Sequence, residues 1–456
     1  MKTFKNILLL VFTVNFLAFF GTLYGQQIQI SPIPGRLKWF NDAKFGMFIH
    51  WGPYAGKVDD ASWPVMLNQI SEEEYAKFPQ SFNPDKFNPD EWIKLAQEAG
   101  QRYMVFTAKH ADGFCMFDSK LTDYKVTNTP FKKDVLDMLV KAARKERMPL
   151  GFYYCPVDFG HKDARKTFTP QDFALYEKGK DTIPMPQNPE WKLYLNYMNG
   201  QLKELLTNYG DVPLLWFDGL YNQQKYDPQR MYNTVKAIQP KTISNNRLGN
   251  LGDYQTPEQF IPEGIPTKTD GINLIGLAIE NKENTKKLKL IPESPKDFQP
   301  WETCMTINCC WAYNQKLDYK SDTLLIKTLI EVASKGGNFL LNVGPKPDGT
   351  IPEEFVVRLR SIGKWLKVNG DAIYGTTYGP FQNLSFGKST SKGKKIYLFV
   401  YDWSPVLEFP CSVKVYKASR TTGEKIKFSQ ANGNLKLSLS KKSSNGIASV
   451  IVLETR

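Results

Sequence analysis

Residues Val212–Tyr221 read VPLLWFDGLY. Four apolar residues run without alternation into an aromatic pair, then an acid, then a glycine. A strand of a parallel sheet, buried on both faces, has this texture as it reaches its carboxyl end. Asp218 is therefore placed at a strand tip, and in a parallel barrel the strand tips and the loops after them form the face where catalytic side chains gather. Trp216 and Phe217 point to opposite faces of the sheet, one toward the barrel interior and one toward the surrounding helices. Two roles fit Asp218 at this stage: a nucleophile or counter-ion walled by rings, or a cap for the following helix.

Outward from this stretch the same unit recurs. Toward the amino terminus, Gly35 to Asn41 reads as a short helix leading into the strand FGMFIHWG, Phe45 to Gly52, which ends on His50 and Trp51. A histidine at a strand tip serves either to bond a ligand hydroxyl or to satisfy the core. Asn88, Pro89, Asp90 and Glu91 open a helix that Gly100 stops, and a strand from Tyr103 to Thr107 follows. Asp134 opens VLDMLVKAARKER, ahead of the strand LGFYYC; Asn188 and Pro189 open a helix that stops at Gly210, ahead of VPLLWFDG. Asp227 and Pro228 open another, ahead of TISNN, Thr242 to Asn246. Alternating strands and helices at these intervals predict crossover units, and five of them with three more expected favour a (β/α)8-like barrel. No dinucleotide-type glycine fingerprint follows any strand, so an open doubly wound sheet loses its main support.

From Arg247 to Pro300 the pattern breaks: GDYQTPEQFIPEG reads as loop, and the lysine-rich IENKENTKKLKL as a solvated insertion. WETCMTIN resumes apolar character, and TLLIKTLIEVASK leads into the strand Asn338 to Pro345 and a closing helix, Glu353 to Val368. Beyond Tyr374 short alternating strands such as KIYLFVYDW and IASVIVLE predict an all-β sandwich. The expected organisation is a signal peptide over 1–25, a catalytic barrel over 26–373 and a β-sandwich over 374–456.

The chain has 456 residues, 41% hydrophobic and 23% charged, with 10 Trp, 22 Tyr and 29 Phe. Aromatic faces suit the apolar sides of sugar rings, although most of these side chains serve the core. The basic end at Lys2 and Lys5, the apolar run Ile7 to Phe20 and the small residues before Gln26 form a secretory signal, with cleavage expected after Gly25. The mature protein is expected to be exported, periplasmic or secreted, with no later stretch long and apolar enough to span a bilayer. Removing Lys2 and Lys5 takes the formal charge from +13 to +11, and this charge reads as spread along the chain. A basic surface concentrates anionic partners, including acidic or sulfated glycans, whereas no nucleic-acid motif is present. The cysteines Cys115, Cys155, Cys304, Cys309, Cys310 and Cys411 have neither a regular disulfide framework nor zinc-ligand spacing, so buried free thiols are expected; the adjacent Cys309 and Cys310 leave a vicinal disulfide open.

Seven separated motifs, FGMFIHWG, AKHADGF, GFYYCPVDF, LLWFDG, GDYQTPEQF, WETCMTIN and GGNFLLNVGPKPDGTIP, resemble in order those of glycoside hydrolase family 29, the α-L-fucosidases. The resemblance covers essentially the whole mature chain. It implies a retaining exo-hydrolase on a (β/α)8-like barrel, needing no metal or organic cofactor, with Asp218 as nucleophile. Retention requires two carboxyl groups about 5–5.5 Å apart, one attacking the anomeric carbon and one protonating the leaving oxygen and then activating water. For the acid/base the resemblance leaves Glu258 ahead of Glu302, which follows the insertion. It draws the sugar pocket from Phe48, His50, Trp51, Trp63, Lys109 or His110, Tyr154 and Trp216.

Two departures bear on the sugar. The family usually has two consecutive histidines where this chain has His110 and Ala111, and a Glu-Trp pair where it has Ser62 and Trp63. Each removes a polar side chain from the fucosyl pocket. α-L-Galactosidase activity, on algal-type or sulfated galactans, is therefore the first alternative, since L-galactose is fucose with a hydroxyl at C6. A glycan-binding protein that has lost its chemistry is the second.

Overall fold

The computed structural model describes residues 34–66, 69–165, 188–218, 223–248, 251–268, 286, 288–289, 291–292, 295–316, 318–440 and 447–456. The expected signal peptide over 1–25 and most of the lysine-rich insertion lie outside them.

Seven parallel strands form the main sheet: β1 (Phe45–Ile49), β2 (Met104–Lys109), β3 (Leu150–Tyr154), β4 (Leu214–Phe217), β5 (Ile243–Ser244), β6 (Glu302–Thr306) and β7 (Asn338–Val343). Their spatial order is β5-β4-β3-β2-β1-β7-β6. The expected helices between them form with the expected punctuation. Asn88 accepts from the Asp90 amide at 3.1 Å ahead of the helix Pro89–Ala99, and Gly100 ends it at φ 82°. Asp134, Asn188 and Asp227 cap the helices Val135–Lys145, Pro189–Asn208 and Pro228–Ile238 by accepting backbone N–H groups. Each such cap is worth about 1 kcal/mol.

The stretch that reads as loop does something else. Tyr254 to Glu258 runs extended between β5 and β6, bridging in parallel Asn245 to Tyr254, Gln255 to Trp301 and Glu258 to Cys304. The Asn246 amide donates to Tyr254 O at 2.8 Å, and the Gln259 amide to Cys304 O at 2.9 Å. This segment is the eighth stave and brings the two edges of the seven-stranded sheet together. Too few residues separate Asn245 from Tyr254 for a crossover helix, which takes a dozen or more, so no helical period marks the unit in the sequence.

Past the helix Glu353–Asn369 the chain forms two antiparallel sheets. The larger comprises β8 (Thr377–Tyr378), β9 (Gly387–Lys392), β10 (Lys395–Val400), β12 (Val415–Arg420) and β15 (Ser449–Thr455), in the order β12-β15-β10-β9-β8. The smaller comprises β11 (Val406–Pro410), β13 (Lys427–Ala431) and β14 (Asn434–Ser438). Ile396, Leu398, Ile451 and Leu453 of one sheet pack with Leu407, Phe409, Leu435 and Leu437 of the other. With the period of two in a strand, the alternate residues Tyr397, Phe399 and Val450 join the barrel core instead. The larger sheet thus lies between the smaller one and the barrel.

No helix among the described residues is long and apolar enough to cross a membrane. Cys309 and Cys310 are joined in the vicinal disulfide that their adjacency left open, while Cys115, Cys155, Cys304 and Cys411 are the expected free, buried thiols.

Candidate active site

A cavity of about 750 Å³ opens at the carboxyl ends of the barrel strands. Asp218 follows β4 and Glu258 ends the closing stave, so both carboxyl groups reach the cavity from the same end of the barrel. Arg247, three residues past β5, joins them. Its Nη1 donates to Asp218 Oδ1 and its Nη2 to Glu258 Oε2, each at 2.6 Å. The guanidinium is buried and lies over the Trp216 ring at 4.5 Å, while the two acids keep 17% and 13% of their side-chain surface exposed. Burial opposes the Arg247 charge, but Glu258 and Asp218 outweigh it and hold its pKa above the ordinary value. Burial likewise raises the pKa of Glu258, with Arg247 pulling it down and Asp218 pushing it up.

The Tyr153 hydroxyl donates to Asp218 Oδ2, so both carboxyl oxygens of Asp218 have donors. The ring of Tyr153 stacks on Trp216 at 5.5 Å and on His110 at 5.5 Å. Phe48, His50 and Trp311 continue the aromatic wall, with His50 to Trp311 at 4.9 Å and Phe48 to Trp216 at 5.0 Å. Burial lowers His50 to about 3 and His110 to about 4, so both rings are neutral near neutral pH. Asn342 Nδ2 donates to Trp311 O at 2.7 Å, which turns its Oδ1 toward His50 Nδ1 at 2.7 Å. That amide can only accept there, so the proton of His50 sits on Nδ1 and Nε2 is left as an acceptor. Ser62 Oγ bonds His110 Nδ1 at 2.5 Å, holding that ring.

Of the residues singled out from sequence, Asp218, Glu258, Phe48, His50, Trp63, His110 and Trp216 line the cavity, as does Ala111. Four others do not. Glu302 opens β6 rather than ending it, so it enters the barrel interior from the opposite end and lies under Trp216, accepting its Nε1–H at 3.0 Å and the Tyr103 hydroxyl. Burial raises it to about 7. Trp51 packs against Phe87 and Trp92 and donates Nε1–H to Lys346 O at 3.0 Å. Lys109, fully buried, pairs with Asp158 at 3.0 Å. Tyr154 faces the helices, where it donates to Gln201 at 2.8 Å.

Arg247, Tyr153, Trp311 and Asp60 escaped the sequence reading. Tyr153 is paired in register with Trp216 and so shares its inward face, a register that neither strand's sequence records by itself. Trp311 follows the Cys309–Cys310 disulfide and is held by its amide donating to Asp60 Oδ1 at 2.8 Å. Among the described residues no group of three or more His, Cys, Asp or Glu side chains is placed to hold a metal ion.

A carboxyl pair bridged by one guanidinium, in a cavity walled by rings and neutral histidines, is equipped for acid–base and nucleophilic chemistry on a polyhydroxylated ring. Comparisons with known proteins agree with it. The model of a family described as Alpha-L-fucosidase matches residues 27–371. The chain is 28% identical over 418 residues to the Alpha-L-fucosidase of Dictyostelium discoideum, covering 83% of this chain and 80% of that protein. Alpha-L-fucosidase isoenzyme 1 from Paenibacillus thiaminolyticus has a similar structure, with TM-score 0.78 and 32% identity over 92% of this chain and 99% of that one. An alpha-L-fucosidase of Bacteroides thetaiotaomicron, trapped as a covalent intermediate with 2-fluoro-fucosyl fluoride, has TM-score 0.76 and 28% identity over 95% of this chain and 99% of that one.

Proposed function

The chain belongs to the α-L-fucosidase family and is a glycoside hydrolase, and from this premise we propose that it releases terminal α-L-fucose from glycans by double displacement with retention. The observation that carries the reading is the Arg247 fork spanning Asp218 and Glu258. A single guanidinium reaching both acids favours the close carboxyl spacing of retaining enzymes over the wide spacing that leaves room for a water. The similar Bacteroides thetaiotaomicron protein, caught as a covalent intermediate, supports the same route.

In this reading Asp218 attacks the anomeric carbon. Arg247 and Tyr153 donate to its two oxygens, each of which retains a further lone-pair site. Glu258, its pKa raised by burial, carries the proton that the leaving oxygen takes. As a carboxylate it then removes a proton from the water that cleaves the glycosyl-enzyme. His50 Nε2 accepts from a sugar hydroxyl, and the wall of Phe48, Trp216 and Trp311 suits the methyl group of a 6-deoxy sugar. A C6 hydroxyl left unpaired against such a wall costs about 1–3 kcal/mol.

Aryl glycosides test the assignment. Asp218→Asn is expected to abolish turnover, and a variant with full rate removes Asp218 from the role. Azide is expected to restore turnover to Glu258→Ala and not to Glu302→Ala; rescue of the second alone transfers the acid/base role to Glu302. The α-L-fucoside is expected to react about 10–100-fold faster than the α-L-galactoside, and the reverse order establishes the galactosidase alternative.

A further inference from the structure

The positive charge that reads as spread along the sequence is concentrated once it is divided by fold. Residues 374–456 hold 13 Lys and Arg against 4 Asp and Glu, a net charge of +9 out of the chain's +13. The cavity near the active site has the opposite character: Asp59, Asp60 and Asp318 join the two candidate catalytic acids in its lining, against Arg247 and Lys320. Anion attraction therefore belongs to the sandwich and not to the catalytic mouth.

On the larger sheet the charges fall into a row. Lys417 on β12 is paired in register with Glu454 on β15, Glu454 with Lys395 on β10, and Lys395 with Lys392 on β9. Adjacent strands lie about 5 Å apart, so three ammonium groups cross four strands in a line, with Lys394 in the turn beside them. All four lysines are exposed, as are Lys414 and Arg456 at the same edge. The row borders a cavity of about 350 Å³ walled by Lys392, Lys394 and Lys395, by Tyr397 and Tyr416, and by the acids Glu454 and Asp371. The Tyr416 ring is 50% exposed. Asp371 lies just past the C-terminal end of the helix Glu353–Asn369, which places this cavity at the end of the barrel opposite the active site.

We infer that this face is a second carbohydrate site, which takes a polyanionic glycan, a sulfated or carboxylated polysaccharide, apart from the catalytic cavity. Lys417 is ion-paired with Glu454 at 2.7 Å, and the Tyr416 hydroxyl donates to the other Glu454 oxygen at 3.0 Å, so Lys392, Lys394 and Lys395 are left to face the anions of a polymer, Tyr416 offers a ring for a sugar face, and Asp371 accepts from neutral hydroxyls. The row presents no apolar side chain for insertion into a bilayer. The choice of a glycan among polyanions also rests on the proposed function, which small-substrate turnover tests separately.

Binding of the full chain to dextran sulfate and to neutral dextran, with and without Lys392→Gln, Lys394→Gln, Lys395→Gln and Lys417→Gln together, is the test. The expected result is binding to the sulfated polymer that weakens with salt and falls at least tenfold in the quadruple variant. Turnover of a small aryl fucoside stays unchanged in that variant. A control lacking four exposed barrel lysines, Lys94, Lys192, Lys241 and Lys364, keeps the affinity. Equal affinity in the wild type and the quadruple variant, equal loss in the control, equal binding of neutral dextran, or tighter binding of duplex DNA or of anionic phospholipid vesicles overturns the inference.

Discussion

Among the described residues, Arg247 is the buried cation that contacts both Asp218 and Glu258. Replacing it with glutamine removes the positive charge that pulls the Glu258 pKa down, so that pKa rises further. The alkaline limb of the pH–rate profile, which follows the proposed general acid Glu258, is then expected to move to higher pH while kcat/KM falls about 100-fold. An unmoved limb assigns Arg247 a purely steric role. Glu302 makes a different prediction. Its folded pKa, about 7, stands above the reference value 4.5 because of burial. The stability it contributes is present below about pH 4.5 and is lost as pH rises through about 7, an effect of up to about 3 kcal/mol. In denaturation measurements at pH 5 and pH 8 the disadvantage of Glu302→Gln is expected to shrink by most of that amount at the higher pH. A difference independent of pH shows that Glu302 has the same charge at both.

At the scale of elements, the helix caps and strand tips were legible and the closing stave was not. Asn88, Asp134, Asn188 and Asp227 each announce a helix because a side chain that accepts a backbone N–H is a local device, written in a few adjacent residues. Tyr254 to Glu258 carries no period of its own, since β5 and β6 supply its bonding partners from afar. The turn that delivers this stave is tight: a Cβ on Gly252 would come within 2.1 Å of the Asn245 carbonyl oxygen. Gly252→Ala is expected to cost about 1–3 kcal/mol and to reduce kcat more than this destabilisation explains, because Glu258 is carried on the displaced segment. Urea denaturation together with steady-state kinetics checks both, and a variant with wild-type stability and rate shows that the turn relaxes freely.

The whole molecule is built as a catalytic barrel backed by a sheet that serves two cores. Tyr397, Phe399 and Val450 face the barrel while Ile396, Leu398 and Ile451 face the smaller sheet. The Lys388–Glu331 ion pair at 2.7 Å and the Gly379 amide donating to Ser334 O at 3.1 Å tie the sandwich to the helix Asp322–Ser334. A chain ending at residue 373 would expose the apolar surface those residues cover, and is expected to lose soluble yield and melt at lower temperature than the full chain. Equal melting temperatures would show that the barrel's stability does not depend on this cover.

The sequence by itself determined the alternation of strands and helices, the sandwich beyond Tyr374, Asp218 at a strand end and the family to which the chain belongs. Each of these is written in short-range patterns of apolarity, capping and motif order. Only the tertiary structure brought Arg247 between Asp218 and Glu258, turned Tyr153 inward and Tyr154 outward, and sent Glu302 beneath Trp216. Those outcomes depend on strand register and on the end from which each strand enters the barrel, quantities shared between distant segments and recorded in neither one alone.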